Sequence, residues 1–166
     1  MLGTLHLVFA GAALAAGATV VLLPKGDPRH RVVGYCYVAS LLLVNISALS
    51  VYEDSAAAGP FHVLATVSLV TLFSGFVPVL LRRPASRWLD LHAYFMSWSY
   101  VGLVAAGTAQ LATMSSDLPG VILVGLPSVS IVIVGGVLIH TRVPRILAAL
   151  ASARVRPGLA GEQASR

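Results

Sequence analysis

The sequence has few charged residues. Only 10% of its 166 residues are Asp, Glu, Lys or Arg, whereas 57% are hydrophobic, and the mean hydropathy is +0.88. A soluble domain carries about 25% charged residues, so this composition excludes a water-soluble globular protein and indicates a membrane protein. The only cysteine, Cys36, excludes an internal disulfide and a CxxC metal site. We expect it to be a small buried residue.

Familiar catalytic signatures are also missing. The sequence contains no GxSxG, Walker, HExxH or paired-carboxylate motif. No acidic residue lies deep within an apolar run, which argues against a carboxylate-based proton pump. The net charge is +5, but basic and aromatic residues are not interleaved as they are in nucleic-acid-binding proteins. The positive charge therefore predicts no nucleic-acid partner and indicates contact with anionic lipid headgroups.

Long apolar runs dominate what is present. A helix needs about 20 mainly apolar residues to cross the hydrocarbon core of a bilayer, and helices satisfy their own backbone groups there. We predict an all-α transmembrane domain over residues 1–145. A cytoplasmic tail over 146–166 should hold a short surface helix and then become disordered. The first run has no basic residue before it, so it is interpreted as a true span and not as a signal peptide. Five runs qualify as spans, at about residues 2–23, 32–52, 61–81, 91–112 and 121–140.

Basic residues predict the orientation of these spans. Lys and Arg collect on the cytoplasmic side of membrane proteins. The connections after the second and fourth spans contain no basic residue and carry Glu53, Asp54 and Asp117. We therefore predict an N-terminus outside and a C-terminus inside the cell. The eleven basic residues all lie in the first connection, the third connection or the C-terminal tail: Lys25, Arg29, Arg31, Arg82, Arg83, Arg87, Arg142, Arg145, Arg154, Arg156 and Arg166.

Histidines recur at matching places in two halves of the chain. His6 lies early in the first span and His62 early in the third, both at the outer level. His30 precedes the second span and His92 opens the fourth, both at the inner level. This pattern predicts a parallel repeat of two helical hairpins that form a four-helix bundle, with the fifth span packed outside it. Tyrosines and tryptophans are expected in the interfacial belts.

Four sequence elements resemble a known family. They contain His6; then His30, Arg31, Gly34 and Tyr37; then Phe61 and His62; and finally His92, Met96, Ser99 and Tyr100. Together they resemble the predicted bacterial membrane proteins known as domain of unknown function 2306. The sequence departs from the last element, because Ala93 and Tyr94 follow His92. The resemblance implies a location in the bacterial inner membrane and a shared histidine pattern, and it implies no reaction.

The histidines are the candidate functional residues. Imidazole binds haem iron and transition metals, and ionisable groups within spans are costly and often functional. We expect a cofactor, either haem b or zinc or copper, for electron transfer or metal handling. The first candidate pair is His6 with His62, and the second is His30 with His92, to which His140 can add a third inner ligand. The alternatives are a small oligomeric transporter or channel and a non-catalytic assembly or structural membrane subunit. Possible protein partners are further copies of the chain or a membrane redox partner.

Overall fold

The computed structural model describes residues 2–50, 60–115 and 119–164, and within these ranges all regular secondary structure is helical. The acidic residues of the predicted outer connections, 53, 54 and 117, lie outside the described residues. The first four helices agree with the predicted spans to within a few residues at each end. The helices are α1 Leu2–Leu22, α2 Pro28–Ser50, α3 Pro60–Leu81, α4 Trp88–Ser115 and α5 Gly120–Ala164.

The fifth helix differs from the prediction. We expected a span ending at about residue 140 and a separate surface helix beyond it, but α5 is one helix of 45 residues. At 1.5 Å per residue it is about 67 Å long. The stretch after Pro144 is rich in Ala, Leu and Arg, which are strong helix formers, so the helix continues where the sequence analysis placed a boundary.

Four of the five helices are long and apolar enough to cross a membrane by length and composition. The apolar segments are Gly3–Leu22, Pro28–Ser50, His62–Leu81 and Ile122–Ala153. α4 is not among them, because its first half carries His92 and several hydroxyl and aromatic side chains. The crossing predicted for residues 91–112 therefore stays a prediction.

The first four helices form a ring. α1 packs on α2, α2 on α3, α3 on α4, and α4 makes a smaller contact back to α1. Within the described residues α1 and α3 do not contact each other, nor do α2 and α4 come within backbone contact, so these pairs lie on the diagonals. α5 packs on the remaining side of α4. The buried core inside the ring consists of Ala13, Tyr37, Leu41, Leu72 and Leu103.

One end of this ring is defined by the α1–α2 and α3–α4 connections, and we call it the basic end because it carries six Lys and Arg residues. The first of its two connections is tightly built. Asp27 caps α2, since its Oδ1 accepts the Arg29 N–H at 2.6 Å, and Pro28 takes the first helical position, which needs no N–H. This cap fixes the start of α2 and therefore the position of His30 one turn later.

Candidate functional site

Two histidines face the inside of the ring at the basic end. α2 and α4 both start there and run in the same direction along opposite corners of the ring. Tyr37 of α2 and Ser99 of α4 meet across the core, with their oxygens 2.9 Å apart. His30 lies seven residues before Tyr37, and His92 lies seven residues before Ser99. Seven residues are close to two full turns, about 10.5 Å, so the two histidines lie on the same helix faces as this bonded pair.

His92 lies within electrostatic range of His30, in agreement with their shared helix register. Both side chains are half-buried. The repeat predicted this pairing at the inner level, and a ligand shared by the two residues stays a prediction. The pair is therefore the candidate functional site of the described chain.

His92 is held by the backbone of α3. Its Nδ1 lies 3.0 Å from the Gly75 carbonyl oxygen. A carbonyl only accepts, so Nδ1 carries the hydrogen and, in the neutral ring, Nε2 keeps its lone pair. A Cβ on residue 75 would lie 2.9 Å from the Met96 nitrogen. Glycine at this position thus allows α3 and α4 to approach closely enough for the histidine to reach the carbonyl.

His30 has a buried nitrogen that lacks a partner. Within the described residues its Nδ1 is buried and makes no hydrogen bond, whereas the ring lies near the Val20 backbone. A buried polar atom left without a partner costs about 1–3 kcal/mol. Such an atom is compatible with a ligand that bonds to it.

Lys25 is the third basic group at this site, and the sequence analysis did not single it out. Its Nζ donates to the Val20 and Val21 carbonyl oxygens, both at 2.9 Å. These carbonyls belong to the last turn of α1, where the helix itself supplies no N–H partner for them. Burial lowers the pKa of Lys25 because desolvation disfavours its charged form. Its charge acts on both His30 and His92.

The other candidate pair lies at the opposite end of the ring. His6 Nδ1 lies 2.8 Å from Ser47 Oγ of α2, and the Ser47 hydroxyl also reaches the Val44 carbonyl oxygen. His62 is half-buried on α3, a helix that does not contact α1 within the described residues. The structure therefore places His6 against α2, and the pairing of His6 with His62 stays a prediction.

His140 lies apart from the inner pair. It is exposed on α5, and its ring meets the ring of Tyr94 edge-on with centroids 6.5 Å apart. Tyr94 comes two residues after His92 and so faces the α5 side of α4. Among the described residues, no three His, Cys, Asp or Glu side chains are grouped to hold a metal. The predicted three-histidine set of His30, His92 and His140 is therefore not assembled.

Polar residues inside the ring are satisfied by one another. Tyr37 and Ser99 are 2% and 1% exposed, and Asn45, which is also buried, donates to the Leu41 carbonyl oxygen at 2.8 Å and to Ser68 Oγ at 3.0 Å. Tyr37 was expected in an interfacial belt and is instead in the core. The opposite error applies to Cys36, which was expected to be buried and is exposed. These hydrogen bonds link α2 to α4 and α2 to α3.

Comparison with known proteins adds one finding. The model of a family described as predicted membrane protein, domain of unknown function 2306, matches residues 3–148. The chain belongs to this family. The match covers all four elements named above, the four helices of the ring and most of α5. The comparison with curated proteins gave no match, and neither did the comparison with solved structures. Membership and the apolar helices together make this chain a multi-pass membrane protein.

Proposed function

We propose that this member of the family binds a cofactor cation through His30 and His92 at the basic end, for electron transfer or metal handling within the membrane. The observation that carries the proposal is the shared register of the two histidines with the bonded pair Tyr37 and Ser99. The bond between Tyr37 and Ser99 holds α2 and α4 together. Two turns before this bond, the same faces of the two helices carry the imidazoles of His30 and His92.

The state of each ring supports metal binding. Metal-ligating histidines usually donate their second ring N–H to a carbonyl or carboxylate, which fixes the tautomer. His92 has this arrangement with the Gly75 carbonyl, and its Nε2 keeps the lone pair that a metal needs. His30 supplies a buried Nδ1 that makes no hydrogen bond in the described structure.

A compact ion fits this position better than a haem. Above the histidines the space between α2 and α4 is filled by the Tyr37 ring, which is 2% exposed. The positive charge of Lys25 opposes a multiply charged cation. Copper meets both conditions, because imidazole binds it well and Cu(I) carries only one charge. Haem b and zinc are the remaining candidates, and the pair His6 and His62 is a second location for any of them.

The experiment measures bound metal in single alanine variants. Purified protein is loaded with Cu(I), washed and analysed for copper, zinc and iron, and its visible spectrum is recorded to detect haem. We expect His30→Ala and His92→Ala each to lower the bound metal at least tenfold. His140→Ala is the matched control, since His140 is exposed on α5, and it should keep the wild-type content. Full metal occupancy in both His30→Ala and His92→Ala would refute the proposal. Loss of bound metal only in His6→Ala and His62→Ala would move the site to the opposite end of the helix ring.

The orientation is part of the same proposal. We propose five spans in a bacterial inner membrane, with the N-terminus outside and the basic end in the cytoplasm. Six of the basic residues lie at the basic end, and Arg142, Arg145, Arg154 and Arg156 lie from the middle of α5 onward; this placement supports the orientation. In that orientation the basic end meets the anionic lipid of the inner leaflet, and the metal site opens towards the cytoplasm, where a metal donor or a redox partner can reach it.

A further inference from the structure

A groove with two opposite charges lies outside the ring at the basic end, between the start of α4 and the second half of α5. It has a volume of about 420 Å³, and its lining includes Arg87, Asp90, Tyr94, Pro144 and Leu147. A second depression of about 180 Å³ continues it and shares Asp90 and Leu147 with it. The proposed metal site uses none of these residues.

The charges of the groove are available to a ligand. Arg87 and Asp90 are exposed and lie on adjacent turns, yet neither side chain has an ion pair or a hydrogen bond within the described part of the chain. Trp88 and Asp90 both line the second depression. A carboxylate attracts an ammonium group through its charge, whereas a guanidinium binds phosphate.

The depth of the groove in the membrane indicates that its ligand is a lipid. Asp90 lies in the first turn of α4. At this end of the ring the apolar segment Pro28–Ser50 begins and the apolar segment His62–Leu81 ends. Helix ends of membrane proteins lie in the headgroup layer. The floor is apolar, with Leu147 and Leu150 of α5, and suits the upper part of an acyl chain.

We infer that this groove binds a phospholipid whose headgroup carries both a phosphate and a primary ammonium, as phosphatidylethanolamine does. Arg87 binds the phosphate and Asp90 binds the ammonium. The arginines around the groove attract any anionic lipid. Asp90 favours the lipid that also brings a positive charge, and it repels a headgroup that is only negative.

The test measures lipid selectivity by native mass spectrometry. The full-length protein in detergent is mixed with equal amounts of phosphatidylethanolamine and phosphatidylglycerol, and the lipids bound per chain are counted. We expect the wild-type protein to prefer phosphatidylethanolamine by about threefold to fivefold, the effect of one exposed ion pair. Asp90→Asn should abolish the preference, and Arg87→Gln should lower the binding of both lipids. Arg31→Gln, an exposed basic residue of α2 outside the groove, should leave the preference intact.

A second measurement locates the lipid without changing its charged contacts. Phosphatidylethanolamine with bromine atoms high on its chains should quench tryptophan fluorescence in the wild-type protein more than in Trp88→Phe, which retains only Trp98. Equal binding of the two lipids by the wild-type protein, or a preference that survives Asp90→Asn, would overturn the inference. Equal quenching in both proteins would place the lipid elsewhere. None of these outcomes depends on metal content, so the inference and the proposed function fail separately.

Discussion

Replacing Gly17 by alanine should destabilise the protein, although the same change elsewhere in α1 should stabilise it. Gly17 lies beneath two tyrosine rings of the core. A Cβ at this position would lie 2.5 Å from Tyr100 Cε2 and 3.0 Å from Tyr37 Cε2. Neither distance is tolerated by carbon atoms, whose optimal separation is about 3.5–4.0 Å, so one or both rings must move.

The size of the effect follows from what holds the rings. Inserting a methyl group into a packed core costs about 1–3 kcal/mol. The Tyr37 ring is fully buried and its hydroxyl bonds Ser99, and loss of this bond adds about 0.6 kcal/mol. Alanine recovers about 0.8–1.0 kcal/mol of helix propensity relative to glycine. The sum is a net destabilisation of about 2 kcal/mol for Gly17→Ala.

Gly11→Ala is the matched control in the same helix. A Cβ at residue 11 meets nothing within 4 Å, so only the propensity gain of about 0.8–1.0 kcal/mol remains. The two variants should differ by about 3 kcal/mol in the free energy of unfolding, measured by titration with sodium dodecyl sulfate in mixed micelles and followed by circular dichroism. The reasoning is refuted if Gly17→Ala is as stable as Gly11→Ala. It also fails if the cost of Gly17→Ala is the same in a Tyr100→Ala background, since removing the ring should relieve the clash.

Two further predictions test the core and the topology. Asn45→Ala removes the hydrogen bond to Ser68 between α2 and α3 and should lower the free energy of unfolding by about 1–2 kcal/mol, in the same titration; an unchanged value would mean that this bond does not hold the two helices together. In a Cys36→Ser background, which removes the exposed native thiol, a membrane-impermeant maleimide added to whole cells should label a cysteine at Ala57 and leave one at Gly26 unlabelled; the reverse pattern would invert the orientation and place the proposed metal site outside the cytoplasm.

The sequence was sufficient to locate the helices but not to orient them around their axes. Apolar runs bounded by Pro, Gly and charged residues mark helix ends, which is why α1 to α4 agree with the predicted spans. Rotation is set in soluble proteins by an apolar stripe, whereas a helix in lipid is apolar on every side and no stripe marks the packed face. This explains why Tyr37 was assigned to the interface and Cys36 to the interior. The residues around them in the sequence are apolar on both faces of α2, so polarity does not show which face is packed.

The candidate site was partly visible in the sequence. The repeat aligned His30 with His92, and the structure brings their charges within interaction range. Gly17 of α1 and Gly75 of α3 each lie where another helix comes too close for a Cβ. The Gly75 carbonyl that holds His92 and the carbonyls that bind Lys25 were not predictable, because every residue has a carbonyl and only the relative height of two helices decides which one a side chain reaches.

The low hydropathy of α4 is explained by its place in the fold and is compatible with the span predicted there. It contacts α1, α3 and α5, so much of its surface faces protein and need not be apolar. The hydroxyls of Ser97 and Ser99 bond carbonyl oxygens of their own helix at 2.7 and 2.9 Å, which removes their need for water.

The path of α4 also matches that of α5, which is apolar enough to span a membrane. Close contacts join the two helices where Gly135 meets Val101 and again, towards the basic end, where His140 meets Tyr94. From the start of α4 to Ser115 the rise is about 40 Å, more than the hydrocarbon core of about 30 Å. A helix that runs antiparallel to α5 over this length is long enough to cross the same layer as α5, so the crossing predicted for residues 91–112 agrees with the packing of α4 against its neighbours.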